Sequence, residues 1–282
     1  MLDETKKDVA TCRHKVSAMS RIRPMDERYI LITCLQNGPI DTTKWAPSWH
    51  VDASQLPPHP WSNETIRDLA DKYPMISHGG GGAEPQREFM REMIQRFGTC
   101  AFLAWEEQKI VGLARFYPME VARLIAKSHT KGFSPVLDCT LASEPEEDEG
   151  TLWVQCVMTC APYVNPEGAS RSGARKGLGL KLAGAVVNWA QKHGWKRIVK
   201  IAHCDLDWFY GIQGGGGRAF WEKLGFKATR EFYHRLDLSV EYDGTVAAHL
   251  SEEHSAIVEA QMQEKGMTEN EVWTWYRMVC EL

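Results

Sequence analysis

The residues best placed to do chemistry lie in one run, Arg171-Ser172-Gly173-Ala174-Arg175-Lys176-Gly177-Leu178-Gly179-Leu180, which follows the most strand-like stretch of the chain, Thr151 to Cys160, and opens a helical pattern. Glycines at 177 and 179 let backbone N–H groups approach an anion without a β-carbon in the way, and the unpaired N–H groups of a new helix add the positive end of its dipole. Arg171, Arg175, Lys176 and Lys181 surround that point with mobile positive charge. Such a segment can cradle a pyrophosphate. Read without a ligand, it is a surface helix start with ordinary basic residues. A second set of polar residues, His203, Asp205 and Asp207 with Tyr210 close behind, follows the next strand and contains groups able to take or give a proton. Their plain alternatives are a satisfied structural histidine and turn-capping aspartates.

The elements that must position these residues are legible as patterns. Arg21 to Met25 predicts a short strand and Tyr29 to Gln36 a helix. Phe89, Met90, Ile94 and Phe97 share one face of a helix over Glu84 to Phe97, ended by Gly98. Thr99 to Trp105 and Ile110 to Tyr117 predict an antiparallel hairpin around Glu106-Glu107-Gln108-Lys109, and a short helix is expected over Val121 to Lys127. Leu178, Leu182, Ala185, Val186 and Trp189 mark a helix from Gly177 to about His193 whose apolar face must cover a sheet. Arg197 to Ala202 is the next strand, Arg218 to Leu224 a short helix stopping at Gly225, and Phe226 to Leu238 a further strand. From about Glu241 the chain predicts two helices, the last opened by the capping box Thr268-Glu269-Asn270-Glu271 and carrying Val272, Trp273, Trp275, Tyr276 and Val279. A helix that apolar needs cover, either from the domain or from a second copy in a homodimer.

Composition narrows the field. A chain of 282 residues with 43% hydrophobic content can fill a core, and 33 Lys+Arg against 37 Asp+Glu fit neither wholesale disorder nor a protein that coats nucleic acid. The polar segment 1–20 holds no apolar leader, and no stretch of about 18 apolar residues is present to cross a membrane, so a cytoplasmic location is expected. The eight cysteines lack the dense spacing of a disulfide scaffold, and Cys156 and Cys160 on one strand would stand about 13 Å apart, too far to share an ion. With no CxxC, HExxH or calcium-loop pattern, no metal is expected. The acidic run from Glu144 to Glu149 has the character of a solvated loop. No GxxxxGK[ST] occurs, the GxGxxA match at Gly214 to Ala219 lies too far behind its strand for a dinucleotide turn, and Gly168 to Ser172 misses the GxSxG elbow by its last residue.

Two segments in register resemble a known family. The loop at 171–180 resembles motif A of the GNAT superfamily of acyl-CoA-dependent N-acyltransferases, which reads Q/R-x-x-G-x-G/A, and Arg218-Ala219-Phe220-Trp221-Glu222-Lys223-Leu224-Gly225-Phe226 resembles the end of its motif B, A-x-x-x-Y-E-K-L-G-F. The order of loop, long helix, strand, short helix and strand is also similar, and the resemblance spans roughly Ile22 to Leu238. It implies an α/β (α+β) fold: a mixed, mostly antiparallel sheet of about six or seven strands, splayed between strands 4 and 5 and flanked by helices. The expected organisation is a polar segment 1–20, a GNAT-like domain 21–240 with a Trp/Pro/Gly-rich insertion 37–83, and a helical C-terminal extension 241–282.

The resemblance further implies acetyl-CoA (coenzyme A) as co-substrate, gripped by backbone amides from Arg175 through Lys176, Gly177, Leu178 and Gly179 to Leu180, with Arg171 contributing charge. Met158, Thr159 and Cys160 would offer main-chain groups to the pantetheine arm, and Gly214, Gly217 and Phe220 would border its far side. The activity implied is N-acyl transfer, acetyl in the first instance, by direct attack of an amine in a ternary complex, with His203, Asp205 and Tyr210 as candidate proton-transfer groups. The acceptor side is built from variable loops, so the acceptor, small molecule or protein, stays open, although Trp45, Trp49 and Trp61 of the insertion offer aromatic faces to a cation. Two departures matter. Ala174 stands where the family carries Gln or Arg, and Trp221 where many members carry the tyrosine that protonates the departing thiolate. An indole N–H is no acid, so Tyr210, Tyr233 or water must take that part, or the protein binds acyl-CoA as a sensor without efficient turnover. A protein-interaction module built on the C-terminal helices is the third reading.

Overall fold

A computed structural model describes residues 21–30, 40–41, 84–122, 149–159, 177–212, 216–233 and 252–282. Its frame is one mixed sheet. Strands β1 (Arg21–Pro24), β2 (Ile40–Asp41), β3 (Ala101–Glu106), β4 (Lys109–Pro118), β5 (Thr151–Thr159), β6 (Arg197–Ala202), β7 (Lys227–Tyr233) and β8 (Thr274–Glu281) run in the order β1-β3-β4-β5-β6-β8-β7, with β2 added against β4. The helices are α1 (Glu84–Phe97), α2 (Leu178–Lys192), α3 (Asp207–Ile212), α4 (Arg218–Glu222), α5 (Glu252–Lys265) and α6 (Glu269–Val272). All neighbouring strands are antiparallel except β5 and β6, which run parallel and are joined across the sheet by α2.

The hydrophobic patterns explain why the sheet is covered on both faces. Leu178, Leu182, Ala183, Val186 and Ala190 of α2 pack with Trp221 of α4 on the side of Phe116, Leu152, Val154, Ile198 and Met278. Met90, Met93 and Ile94 of α1 lie on the opposite face under Leu103, Leu113 and Tyr117, while Phe209 of α3 and Val258 of α5 cover Trp153, Val199, Ile201 and Trp275. Gly112 lets α2 settle close to β4, since a β-carbon there would stand 2.7 Å from Leu182 Cδ1. The hairpin forms as expected, its turn admitting Glu107 at φ +56°. Gly225 ends the short helix region at φ +86°, as its type predicts.

The end of the chain corrects one expectation. The capping box is real: Glu271 accepts from the Thr268 amide at 2.7 Å, and Thr268 Oγ1 accepts from the Glu271 amide at 3.3 Å. Yet the helix it opens lasts only four residues, and Thr274 to Glu281 form a strand inserted between β6 and β7. A cap specifies where a helix starts, not how far it runs, and a single turn has little stability of its own. Here two open strand edges compete for the segment and fill both of its ladders. The apolar residues of the strand divide by alternation, Trp275 and Val279 to one face and Tyr276, Met278 and Cys280 to the other. Of the helical extension expected over 241–282, α5 is helical and the last strand belongs to the main sheet.

A 3-10 turn, Glu27–Tyr29, capped by Asp26, leads up to the helix expected over Tyr29 to Gln36, which from residue 31 on lies outside the described residues. The helix at Asp207–Ile212 carries no pattern that the sequence reading used. The insertion 37–83, apart from 40–41, and the loop 160–176 lie outside the described residues.

Candidate active site

The parallel pair is joined only at its start. Thr151, Leu152 and Trp153 of β5 pair with Arg197, Ile198 and Val199 of β6, and the ladder stops there although β5 continues to Thr159 and β6 to Ala202. β5 stays bonded to β4 as far as Thr159 opposite Gly112. Its other edge is therefore released from Val154 onward, and alternate main-chain groups along it face the opening. The register of β4 against β5 shifts between Arg115 and Phe116, which pair with Cys156 and Val154, so Gln155 is the extra residue of a bulge at the apex of the gap.

Three elements meet at the wide end. Gly177 caps α2 in the left-handed region, φ +79° and ψ −1°, with no side-chain cap, so the first-turn amides of Leu178, Gly179 and Leu180 have no partner within the helix. A β-carbon at Gly177 would meet nothing within 4 Å; one at Gly179 would stand 3.3 Å from Phe220 Cε2 and 4.0 Å from Thr159 Cγ2. The structure thus brings Thr159, Gly179 and Phe220 together, with Met158 beside Thr159 on the same strand end. Cys160, Arg171, Arg175 and Lys176 lie outside the described residues.

The candidate proton-transfer groups form a second cluster past the end of β6, and their bonds are specific. Asp205 accepts from Tyr210 at 2.6 Å through one oxygen and from the Ala219 amide at 3.0 Å through the other. It thereby ties the first turn of α4 to α3, and a β-carbon at Gly217 would collide with it. His203 is buried, donates from Nδ1 to the Cys204 carbonyl, and stacks at 5.1 Å on Phe209 with Tyr210 and Trp275 edge-on. Its own carbonyl accepts from Arg218 at 3.0 Å. Burial pushes the neighbouring Cys204 thiol up to about 12, which removes it as a thiolate nucleophile at neutral pH. Trp221 is buried and donates its indole N–H to the Gly216 carbonyl at 3.0 Å, so that N–H points at the protein's own backbone.

One residue of the site escaped the sequence reading. Lys200 is buried in β6, one position past the last rung of the parallel ladder, and its Nζ donates to the Gln155 carbonyl at 2.6 Å across the gap. It also lies 5.7 Å from the ring centre of Trp153. Burial pushes its ammonium down to about 8, with Cys156 nearby acting the other way. The signal was present as a lysine between apolar residues of the strand, Ile-Val-Lys-Ile-Ala after Arg197.

No protein-family model matches the sequence, and no curated protein matches it either. Solved structures do align with it at low identity. Polyamine N acetyltransferase from Drosophila melanogaster is 14% identical over 93% of this chain and 100% of its own, with a TM-score of 0.45. An acetyltransferase of the GNAT family from Streptococcus pneumoniae is 10% identical over 93% and 99%, at 0.42, and yncA from Salmonella typhimurium, solved with acetyl-CoA, is 12% identical over 93% and 94%, at 0.41. The chain's own sheet carries what can be said of its fold: among the described strands, the order, one parallel pair that parts after three rungs and a glycine-capped helix beginning at the mouth of the gap form the mixed, mostly antiparallel, splayed arrangement that the motif resemblance to the GNAT superfamily implies.

Proposed function

We propose that the protein is an acyl-CoA-dependent N-acyltransferase of the cytoplasm that moves an acetyl group from acetyl-CoA to a primary amine by direct attack in a ternary complex. The observation that carries this reading is the parting of β5 from β6 after Trp153 and Val199, with the amides of Leu178, Gly179 and Leu180 at its mouth. A released strand edge offers N–H and C=O groups to an amide-containing arm, which can pair with it as an added strand. A helix start with a glycine at 177 offers amides to a pyrophosphate. Arg171, Arg175 and Lys176 would complete the grip on the pyrophosphate, and Cys160 would offer main-chain groups to the arm.

In this reading the thioester lies toward the apex of the gap and the acceptor approaches from outside it. Attack of the amine nitrogen on the carbonyl places charge on oxygen, which a strand amide can stabilise. His203, Asp205 and Tyr210 hold α4, and through it Phe220, against the wide end. The acceptor is a small amine or a protein amine.

The test is calorimetric titration with acetyl-CoA followed by thiol release measured against a panel of amines. Binding with turnover on at least one acceptor supports the enzyme. Tight binding with no turnover on any amine favours the sensing module, and no binding overturns both.

A further inference from the structure

A lysine buried away from every carboxylate of the described residues needs an explanation, because an unpaired charge is costly to remove from water. Among the described residues Lys200 forms no ion pair; its polar partner is the Gln155 carbonyl, and the only titratable group felt at its nitrogen is Cys156. Trp153 on β5 lies beside it and Met278 stands opposite it on β8.

Its place in the fold supplies a reason. An arm laid along the free edge of β5 from Thr159 reaches Gln155 after four residues, about 13 Å at roughly 3.3 Å per residue. The reacting end of an acyl-CoA entering at the Gly177 mouth is thereby delivered to the apex, where Gln155 and Lys200 meet. The other candidates are engaged elsewhere: Asp205 with Ala219 and Tyr210, Tyr210 with Asp205, His203 through Nδ1 with the Cys204 carbonyl, and Trp221 with Gly216.

We propose that Lys200 is a catalytic residue that carries the proton of acyl transfer from the attacking nitrogen to the departing thiolate. This rests on the N-acyltransferase reading above. The acceptor's neutral amine forms the C–N bond with its lone pair, and the carbonyl π pair moves to oxygen. Neutral Lys200, still donating one N–H to Gln155, takes a proton from the now cationic nitrogen. Collapse re-forms the C=O bond and breaks the C–S bond, the pair leaving on sulfur. The Lys200 ammonium then protonates that thiolate, so amide and thiol depart and the lysine ends as it began. An amine whose ammonium is lowered to about 8 is suited to both halves, being largely able to hold or release a proton near neutral pH.

The experiment compares wild type, Lys200→Met and Lys200→Arg for acetyl-CoA affinity by calorimetry and for kcat against pH with two acceptors of different amine basicity. The expected result is a 10²- to 10⁴-fold loss of kcat in both variants with unchanged affinity. Wild-type kcat should rise with pH through a limb near 8 that stays in place when the acceptor is changed. A variant keeping more than a third of wild-type kcat, or a limb that follows the acceptor's own basicity, overturns the proposal and leaves the acyltransferase reading standing. Wild type that binds acetyl-CoA and acylates no amine overturns both. Should the methionine variant fail to fold, the arginine variant and the wild-type profile still decide.

Discussion

Replacing Lys200 by methionine should reverse its effect on stability between neutral and alkaline solution. In the folded chain the ammonium is lowered by burial from 10.5 to about 8, while the unfolded chain titrates at the ordinary value. Between these limits the unfolded state binds more protons, so wild-type stability rises with pH across this window. The penalty is fully present below pH 8 and gone above the unfolded value; at 1.36 kcal/mol per unit it amounts to about 3 kcal/mol. Methionine has no such penalty and fills much of the same volume against Trp153, but it leaves the Gln155 carbonyl without its donor, a loss of about 1–3 kcal/mol at any pH. The variant should therefore be as stable as wild type or up to about 2 kcal/mol more stable at pH 7, and about 1–3 kcal/mol less stable above the unfolded pKa. Urea unfolding of both proteins at intervals from neutral to strongly alkaline pH, with equal m-values, measures the difference directly. A difference constant across the range to within about 1 kcal/mol would refute the reasoning, because the lysine would then titrate alike in both states.

Three further outcomes are expected. Gly179→Leu should weaken acetyl-CoA binding at least tenfold, roughly 1.4 kcal/mol, by filling the space shared with Phe220 and Thr159, whereas Gly177→Ala should lower stability by about 1–2 kcal/mol through its positive φ alone; calorimetry and thermal melts separate the two. Trp221→Phe strands the Gly216 carbonyl and should cost about 1–3 kcal/mol in chemical unfolding, while turnover per folded molecule stays unchanged because the indole N–H serves the backbone. Truncation after Gly266 removes β8 from between β6 and β7 and should abolish cooperative folding; a truncated chain that keeps its near-ultraviolet dichroism and changes only its oligomeric state would contradict the strand's place in the sheet.

Much of the frame was legible because its signals are local. The apolar stripe of α2, the strand Arg197 to Ala202, the hairpin around Glu107 and the left-handed stop at Gly225 each depend on residues within a few positions of one another. The glycine positions at 177 and 179 also showed where a backbone could be approached. At Thr274 to Glu281 the local signal misled, since a strand buried on both faces has no polar side to reveal its period.

What the tertiary structure decided is which groups face one another. His203, Asp205 and Tyr210 sit close in the chain and share a cluster, yet only the fold brings the amide of Ala219 to Asp205 and so turns that carboxylate toward α4. Lys200 is one lysine in the strand Arg197 to Ala202; the fold set it where β6 separates from β5, facing the carbonyl of a bulge forty-five positions earlier. Periodicity and residue type determine which elements form, because those are contests among neighbouring residues. Pairing between distant strands determines where the sheet opens, and with it which buried group stands at the opening.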